Sequence, residues 1–317
     1  MQAVFGWRGN IFRDSLYPEQ FVYSVRREIL TYFAFMNLHE FIQLALAEDV
    51  GDGDHTSLST IPADAQKRAR LLVKEAGILA GVEVAKAIFA EVDPAFQVDI
   101  LMQDGASIKP GDIVLTVSGN ARNILTAERL VLNCMQRMSG IATHTRELVD
   151  LLEGTRAKLL DTRKTTPNFR ICEKMATKIG GAVNHRFGLY DQILIKDNHV
   201  DYAGGIEAAI TKAVAYLAET GRDLKIEIET RNRSEVEEVL RVGQSDATRV
   251  DIILLDNFTP DGIRDMVRLI DRRYVTEASG GIDETNLRAY AETGVDYISS
   301  GALTHQIKSL DLSLKAY

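Results

Sequence analysis

Seven cations crowd one stretch of this 317-residue chain. Between Asp161 and His199 stand Arg163, Lys164, Arg170, Lys174, Lys178, Arg186 and Lys196, with His185 and His199 beside them. Only Asp161, Glu173, Asp191 and Asp197 oppose them, so the segment carries +3 in a chain of net charge −8. A run of charge is usually a solvated face. Here several cations follow directly on apolar runs, which suits a pocket for a ligand carrying several negative charges.

Arg163 and Arg186 offer planar forks that match carboxylates or phosphates, while Lys164 and Lys196 are point charges suited to phosphate oxygens. Downstream, Glu229 and Asp256 are carboxylates that either pair with these cations or hold Mg²⁺ through oxygen ligands shared with a phosphorylated substrate; the residues alone leave both readings open. Ser279-Gly280-Gly281 and Ser300-Gly301 let backbone N–H groups approach a phosphate. Cys134 and Cys172 lie in no metal-binding spacing, and Cys172 sits in a helical pattern, so both read as packing thiols in a reducing compartment. No nucleophile elbow, metal cluster or dinucleotide fingerprint is present, which leaves hydrolase and redox readings without support.

The elements that must position these groups change character along the chain. Residues 1–35 hold the only Trp and stand apart, either an appended helix or a misplaced start. From Met36 an α+β region runs to residue 142: a helix at NLHEFIQLALAEDVG, a polar loop over 51–62, strands at ARLLVKEAG, FQVDILMQDG and IVLTVSG, and a helix at GVEVAKAIFAEVDP. A long helical pattern over 123–152 is expected to break at Ser139-Gly140. Arg129 on its apolar face, next to Glu128, reads as half of an intrahelical or surface salt bridge. Over 143–305 apolar runs recur, each closed by a polar residue: LLD161, AVNH185, LIK196, IEIE229, IILLD256, VTEAS279 and YISSG301. The last five are spaced 33, 27, 23 and 22 residues apart, as compact βα units require. An incomplete (β/α) barrel follows, with its chemistry at the C-terminal strand ends. Residues 306–317 form a tail expected to pack back on the N-terminal domain.

Composition bounds the rest. Hydrophobic content of 45% supports real cores, and the acidic balance argues against nucleic acid as a partner. No apolar run of membrane-spanning length and no signal-peptide pattern occurs, so a cytoplasmic protein is expected.

The motifs DTRKTTPNFR, EKMATKIGGAVNHRFGL and LIKDNH resemble those of the quinolinate phosphoribosyltransferase family, the carboxylating nicotinate-nucleotide pyrophosphorylases. AEDVGDGDHT, LTAERLVLNCMQRMSGIAT, IEIET, ILLDN, EASGGI and YISSGALTH extend the likeness over 36–317. Asn168 replaces the family's usual Gly after TTP, and Asn tolerates positive φ. The resemblance implies an N-terminal α/β sandwich joined to an incomplete barrel, working as a dimer or a hexamer of dimers. It implies that Arg129 closes the neighbouring subunit's site, against the salt-bridge reading. Arg163, His185, Arg186 and Lys196 are implied to bind quinolinate. Lys164, Glu229, Asp256, Ser279, Gly280, Gly281 and Gly301 are implied to bind phosphoribosyl pyrophosphate (PRPP), with Glu229 and Asp256 facing the ribose hydroxyls and Mg²⁺, and Thr162 is implied to bind substrate. Lys164, Lys196, Glu229 and Asp256 are implied to be catalytic. The expected reaction joins the pyridine nitrogen to C1 of PRPP, releases pyrophosphate, and loses the 2-carboxylate as CO₂ to leave nicotinate mononucleotide. The rivals are a paralogous pyrophosphorylase with another acceptor and a silent anion sensor. The full set of cations weighs against the first, the two carboxylates against the second.

Overall fold

The computed structural model describes residues 37–243 and 248–317; the segment 1–35 lies outside the described residues. Asn37 accepts from the Glu40 amide while Glu40 accepts from the Asn37 amide, a reciprocal box that starts α1 (Leu38–Val50). The stretch 51–62, expected as a loop, contains α2 (His55–Thr60), because Asp54 accepts from the Ser57 amide and caps a turn. Next come β1 (Gln66–Val73), β2 (Gly77–Ile78), α3 (Val82–Val92), β3 (Gln97–Ile100), β4 (Ser107–Ile108), β5 (Ile113–Asn120) and α4 (Ala121–Asp150). The chain continues with β6 (Lys158–Leu160), α5 (Arg170–Gly180), β7 (Ile193–Ile195), α6 (Asp197–Ala203), α7 (Ile206–Thr220), β8 (Ile226–Thr230) and α8 (Arg233–Val242). It closes with β9 (Ile252–Asp256), α9 (Pro260–Ile270), β10 (Val275–Ser279), α10 (Leu287–Ala291), β11 (Tyr297–Ser299) and β12 (Leu312–Ala316).

Two large sheets organise these elements, beside a small antiparallel pair of β2 and β4. The N-terminal sheet is antiparallel, in the order β12-β1-β5-β3, so the last strand of the chain pairs with the first. Alternate residues of β1 and β5 (Leu71, Val73, Leu115, Val117) point into one core with Phe89 of α3 and Met135 and Met138 of α4. The second sheet is parallel, in the order β6-β11-β10-β9-β8-β7, with a core of its own built from Ile228, Ile253, Leu255, Ala278 and Ile298 and the helices outside them. Six strands form it where seven apolar runs were read. The AVNH185 run makes only a single bridge, Val183 to Leu160, because the Asp161 carboxylate takes the His185 amide and the Asn184 side chain. The sheet therefore stays an incomplete barrel. Among the described residues no helix is long and apolar enough to cross a membrane.

α4 corrects a second expectation. It runs unbroken through Ser139-Gly140. A Cβ on Gly140 would meet the Lys308 carbonyl oxygen at 2.2 Å, so this glycine admits the returning chain and does not break the helix. Ser139 donates to the Ala80 carbonyl and accepts from the Ala80 amide. Gly140→Ala would ordinarily stabilise a helix interior by about 1 kcal/mol. Here the collision with fixed backbone reverses the sign, and we expect a loss of about 1–3 kcal/mol. A denaturant midpoint at or above that of the unsubstituted protein would contradict this reading of the close approach.

Candidate active site

Asp161, at the end of β6, has no exposed surface. Its carboxylate accepts from Lys174 Nζ (2.5 Å), Thr177 Oγ1 (2.9 Å), Asn184 Nδ2 (2.6 Å) and the His185 amide (2.8 Å). Burial works to lower the pKa of Lys174, though Asp161 opposes it. Lys174 also holds the His185 carbonyl. This knot pins α5 to the segment that carries His185 and Arg186. The dense cationic stretch thus separates into two groups: Lys174 and Arg170 brace the backbone, Arg170 reaching Thr165 and the Phe187 carbonyl. Arg163, Lys164, Arg186 and Lys196 face a cavity of about 760 Å³.

That cavity opens at the C-terminal ends of the parallel strands. Twelve of the thirteen residues singled out from the sequence line it, every one but Arg129. Arg163 and Arg186 stand together: burial first, then the charge of Arg163, lowers the pKa of Arg186. Among the described residues the Arg186 guanidinium donates only to the Gln192 carbonyl, and Arg163 Nε is buried without a partner. Two adjacent guanidiniums with unspent donors are the arrangement an anion relieves.

His185 behaves differently from the expectation. Its Nε2 lies 3.0 Å from Glu227 and 3.5 Å from Glu277. Burial disfavours charge on the ring, yet the hydrogen bonds to these two carboxylates outweigh it and push its pKa up to about 10. As seated, however, Nδ1 accepts from the Arg186 amide at 2.8 Å, so the ring carries its proton on Nε2 alone. A second proton requires it to leave that amide. In this position both nitrogens serve the protein. Glu227 itself is pushed up to about 7 by burial and then by the charge of Glu277, as expected for two carboxyls confined together. Donor atoms of His185, Glu227 and Glu277 converge within 4.8 Å, a space already occupied by the Nε2 proton and the Gln192 amide group that donates to Glu227.

Glu229 and Asp256 lie at the ends of neighbouring parallel strands. Glu229 Oε2 lies 3.3 Å from Lys196 Nζ, and Asp256 accepts from Asn257 Nδ2 at 2.6 Å. Both the ion pair and a free rim of oxygen donors are therefore present, and hard oxygens without a nitrogen or sulfur ligand suit Mg²⁺. Gly280 is required twice over: its φ is +100°, and a Cβ would strike Asn257 Oδ1 at 2.3 Å. Gly281, at φ +60°, has open space where a Cβ would point. At Gly301 a Cβ would meet Lys164 Cδ at 2.8 Å, so Lys164 folds directly over this turn. Asn168 adopts φ +62°, the conformation that makes glycine's replacement by Asn tolerable.

Arg129 lies outside the cavity, exposed on α4. Among the described residues no carboxylate approaches it within the 4.0 Å of an ion pair, so the salt bridge with Glu128 does not form. The sequence reading passed over Glu277, Asn257, Asp283 and His305, all of which line the cavity. His305 was readable from its place four residues after Gly301. Glu227 and Glu277 were readable from strand alternation, since each precedes a rim residue by two and shares its face. The thiols behave as read: both are buried, and the hydrogen bond that the Cys172 thiol gives to Cys134, then burial, pushes Cys172 up.

Family models described as the C-terminal and N-terminal domains of quinolinate phosphoribosyl transferase match residues 141–315 and 54–139. The chain is 46% identical over 289 residues to a quinolinate phosphoribosyltransferase [decarboxylating] 2, mitochondrial, of Nicotiana glauca, covering 88% of this chain and 82% of the relative. It is 45% identical to a chloroplastic nicotinate-nucleotide pyrophosphorylase [carboxylating] of Arabidopsis thaliana, with the same coverage of 88% and 82%. Among solved structures, NadC from Streptococcus pyogenes superposes with a TM-score of 0.81 at 39% identity, covering 88% of this chain and 95% of that one.

Proposed function

The chain belongs to the quinolinate phosphoribosyltransferase family and catalyses decarboxylating phosphoribosyl transfer to quinolinate in NAD biosynthesis, and from that premise we propose how its cavity divides the labour. Arg163 and Arg186 take the two carboxylates of quinolinate, with Lys196 beside them. Lys164, the backbone N–H groups of Ser279-Gly280-Gly281 and the Gly301 turn take the phosphates of PRPP, and Thr162 shapes the Lys164 loop by accepting from its amide. Glu229 and Asp256 face the ribose. The observation that carries this division is the presence, in one cavity, of paired guanidiniums with unspent donors and of a carboxylate pair on neighbouring strands.

The chemistry follows from these placements. Holding the pyridine ring by its carboxylates aims the ring nitrogen at C1 of the ribose. As the bond from C1 to pyrophosphate lengthens, positive charge grows on the ribose, and Glu229 and Asp256 lie where it develops. Glu229 and Asp256 would hold Mg²⁺, which would supply charge neutralisation to the pyrophosphate. Once the C1–N bond exists, the pyridinium accepts the electron pair of the C2–carboxylate bond. CO₂ leaves, and a proton from solvent fills C2. We further propose that Arg129 reaches the cavity of a second copy in a homodimer, alone or within a hexamer. We propose the cytoplasm as compartment, where free thiols stay reduced; the plant relatives are named mitochondrial and chloroplastic, and cell fractionation decides.

The experiment incubates the protein with PRPP and Mg²⁺ and either quinolinate or nicotinate, following CO₂ and nicotinate mononucleotide together. Nicotinate leaves one guanidinium without its carboxylate, a loss of about 3 kcal/mol for a charged hydrogen bond. We expect kcat/KM about 10²-fold lower for nicotinate. Product from nicotinate at an equal rate would overturn the assignment of Arg163 and Arg186.

A further inference from the structure

Beneath the rim, a buried ion pair joins elements that the reaction scheme does not use. Glu173 of α5 has no exposed surface. Its carboxylate accepts from Arg137 Nη2 of α4 at 3.0 Å, and from both the amide and the hydroxyl of Thr166 at 3.0 Å. The same guanidinium donates to the Thr304 carbonyl (2.5 Å) and the Ile307 carbonyl (2.8 Å). Thr304 Oγ1 in turn donates to the Lys164 carbonyl at 2.7 Å. The path is a closed ring: Lys164, Thr304, Arg137, Glu173, Thr166, and by two peptide bonds back to Lys164.

That ring has a consequence for geometry. Lys164 and Thr166 belong to the loop after β6, and Thr304 belongs to the turn that begins at Gly301. These two loops meet across the cavity where Lys164 folds over Gly301. On the acceptor side, the segment of His185 and Arg186 is fixed through the Asp161 knot. The two braces meet on α5, where Lys174 of the knot follows Glu173 of the ring, and the ring acts most directly on the loops of Lys164 and Thr304.

We infer that Arg137 and Glu173 are positioning residues that set the spacing of the two loops receiving the donor's phosphates. They touch no substrate. A planar fork is needed at 137 because one side chain must serve two carbonyls and a carboxylate at once. The fully buried carboxylate at 173 supplies the charge that keeps the fork in place while its second oxygen orders the Thr166 amide. Loss of the ring leaves both loops present but lets their spacing drift, and a drift of an ångström at a phosphate cradle weakens binding there more than at the acceptor side, where Arg186 keeps its own brace.

The inference rests on the donor-phosphate reading of this end, so the test reads binding separately from turnover. Calorimetry on the full-length protein measures inorganic pyrophosphate with Mg²⁺, and quinolinate, as separate ligands. Thr304→Val keeps the side chain's shape and removes only the hydroxyl that holds the Lys164 carbonyl. Arg137→Lys keeps the charge but reaches one carbonyl at a time. Each is expected to weaken pyrophosphate binding about tenfold while leaving quinolinate within about twofold, and Thr304→Ser is expected to restore pyrophosphate binding. A simple packing role predicts a lowered Tm with both affinities unchanged or reduced together, and that result overturns the inference. A protein that binds pyrophosphate in this pattern but turns over no PRPP would instead overturn the functional reading and leave the brace standing.

Discussion

Arg129→Ala and Asp256→Ala, each without turnover alone, are expected to recover activity when mixed and allowed to exchange subunits. Arg129 is exposed on α4 and lines no part of its own chain's cavity, while Asp256 sits on the cavity's rim. In a twofold dimer each site would combine one chain's Asp256 with the other's Arg129. A mixed dimer then holds one site with both groups and one with neither. With random pairing half the dimers are mixed, so about a quarter of all sites should work. An exposed guanidinium on a largely buried helix face, with no carboxylate partner among the described residues, is the physical reason to expect a trans role. If Arg129 served its own chain, mixing would restore nothing, and the two defects would remain complete. Turnover of the mixture over time, beside a size-exclusion profile, gives the answer in one experiment.

The parts of this site that were legible in the sequence share one property: a side chain at the polar end of an apolar strand run. Glu229, Asp256, Ser279 and Gly301 follow that rule, because a parallel strand covered on both faces must end where its chemistry begins. The rule failed where a side chain replaces the backbone as partner. Val183 looks like a strand residue, but Asp161 captures the amide and amide side chain next to it, leaving one bridge. Gly140 looks like a helix breaker, and its reason lies 168 residues away at Lys308, a proximity that no local pattern contains. The same holds for the charges. Asp161 and Glu173 counted as mere opposition to the cations, whereas each is a fully buried acceptor around which several backbone groups are ordered. Seven cations in one segment thus overstated the pocket, since only four face it, while Asp161 holds Lys174 and Glu173 holds Arg137 from outside the segment. His185 shows the limit most clearly, because both of its nitrogens are engaged by groups from 227, 277 and its own neighbour.

Glu229→Gln should separate catalysis from binding. Glutamine has the shape of glutamate and keeps an acceptor for Lys196, whose ammonium lies 3.3 Å from Oε2, so the rim should hold its geometry. What disappears is one negative charge from a side chain about 10% exposed, where water screens little. If Glu229 faces the ribose as charge develops, its loss should lower kcat by about 10²–10³-fold, the scale seen when one preorganised electrostatic partner is removed. Quinolinate binding should move the other way or not at all. Removing an anion from beside Lys196 makes the pocket more positive, and a dianion then binds as well or better. The two effects have opposite signs, which no loss of folding or general loosening can imitate. A fall in kcat matched by an equal loss of quinolinate affinity would mean that Glu229 only holds Lys196 in place, and the charge on the ribose would have to be met by Asp256 alone.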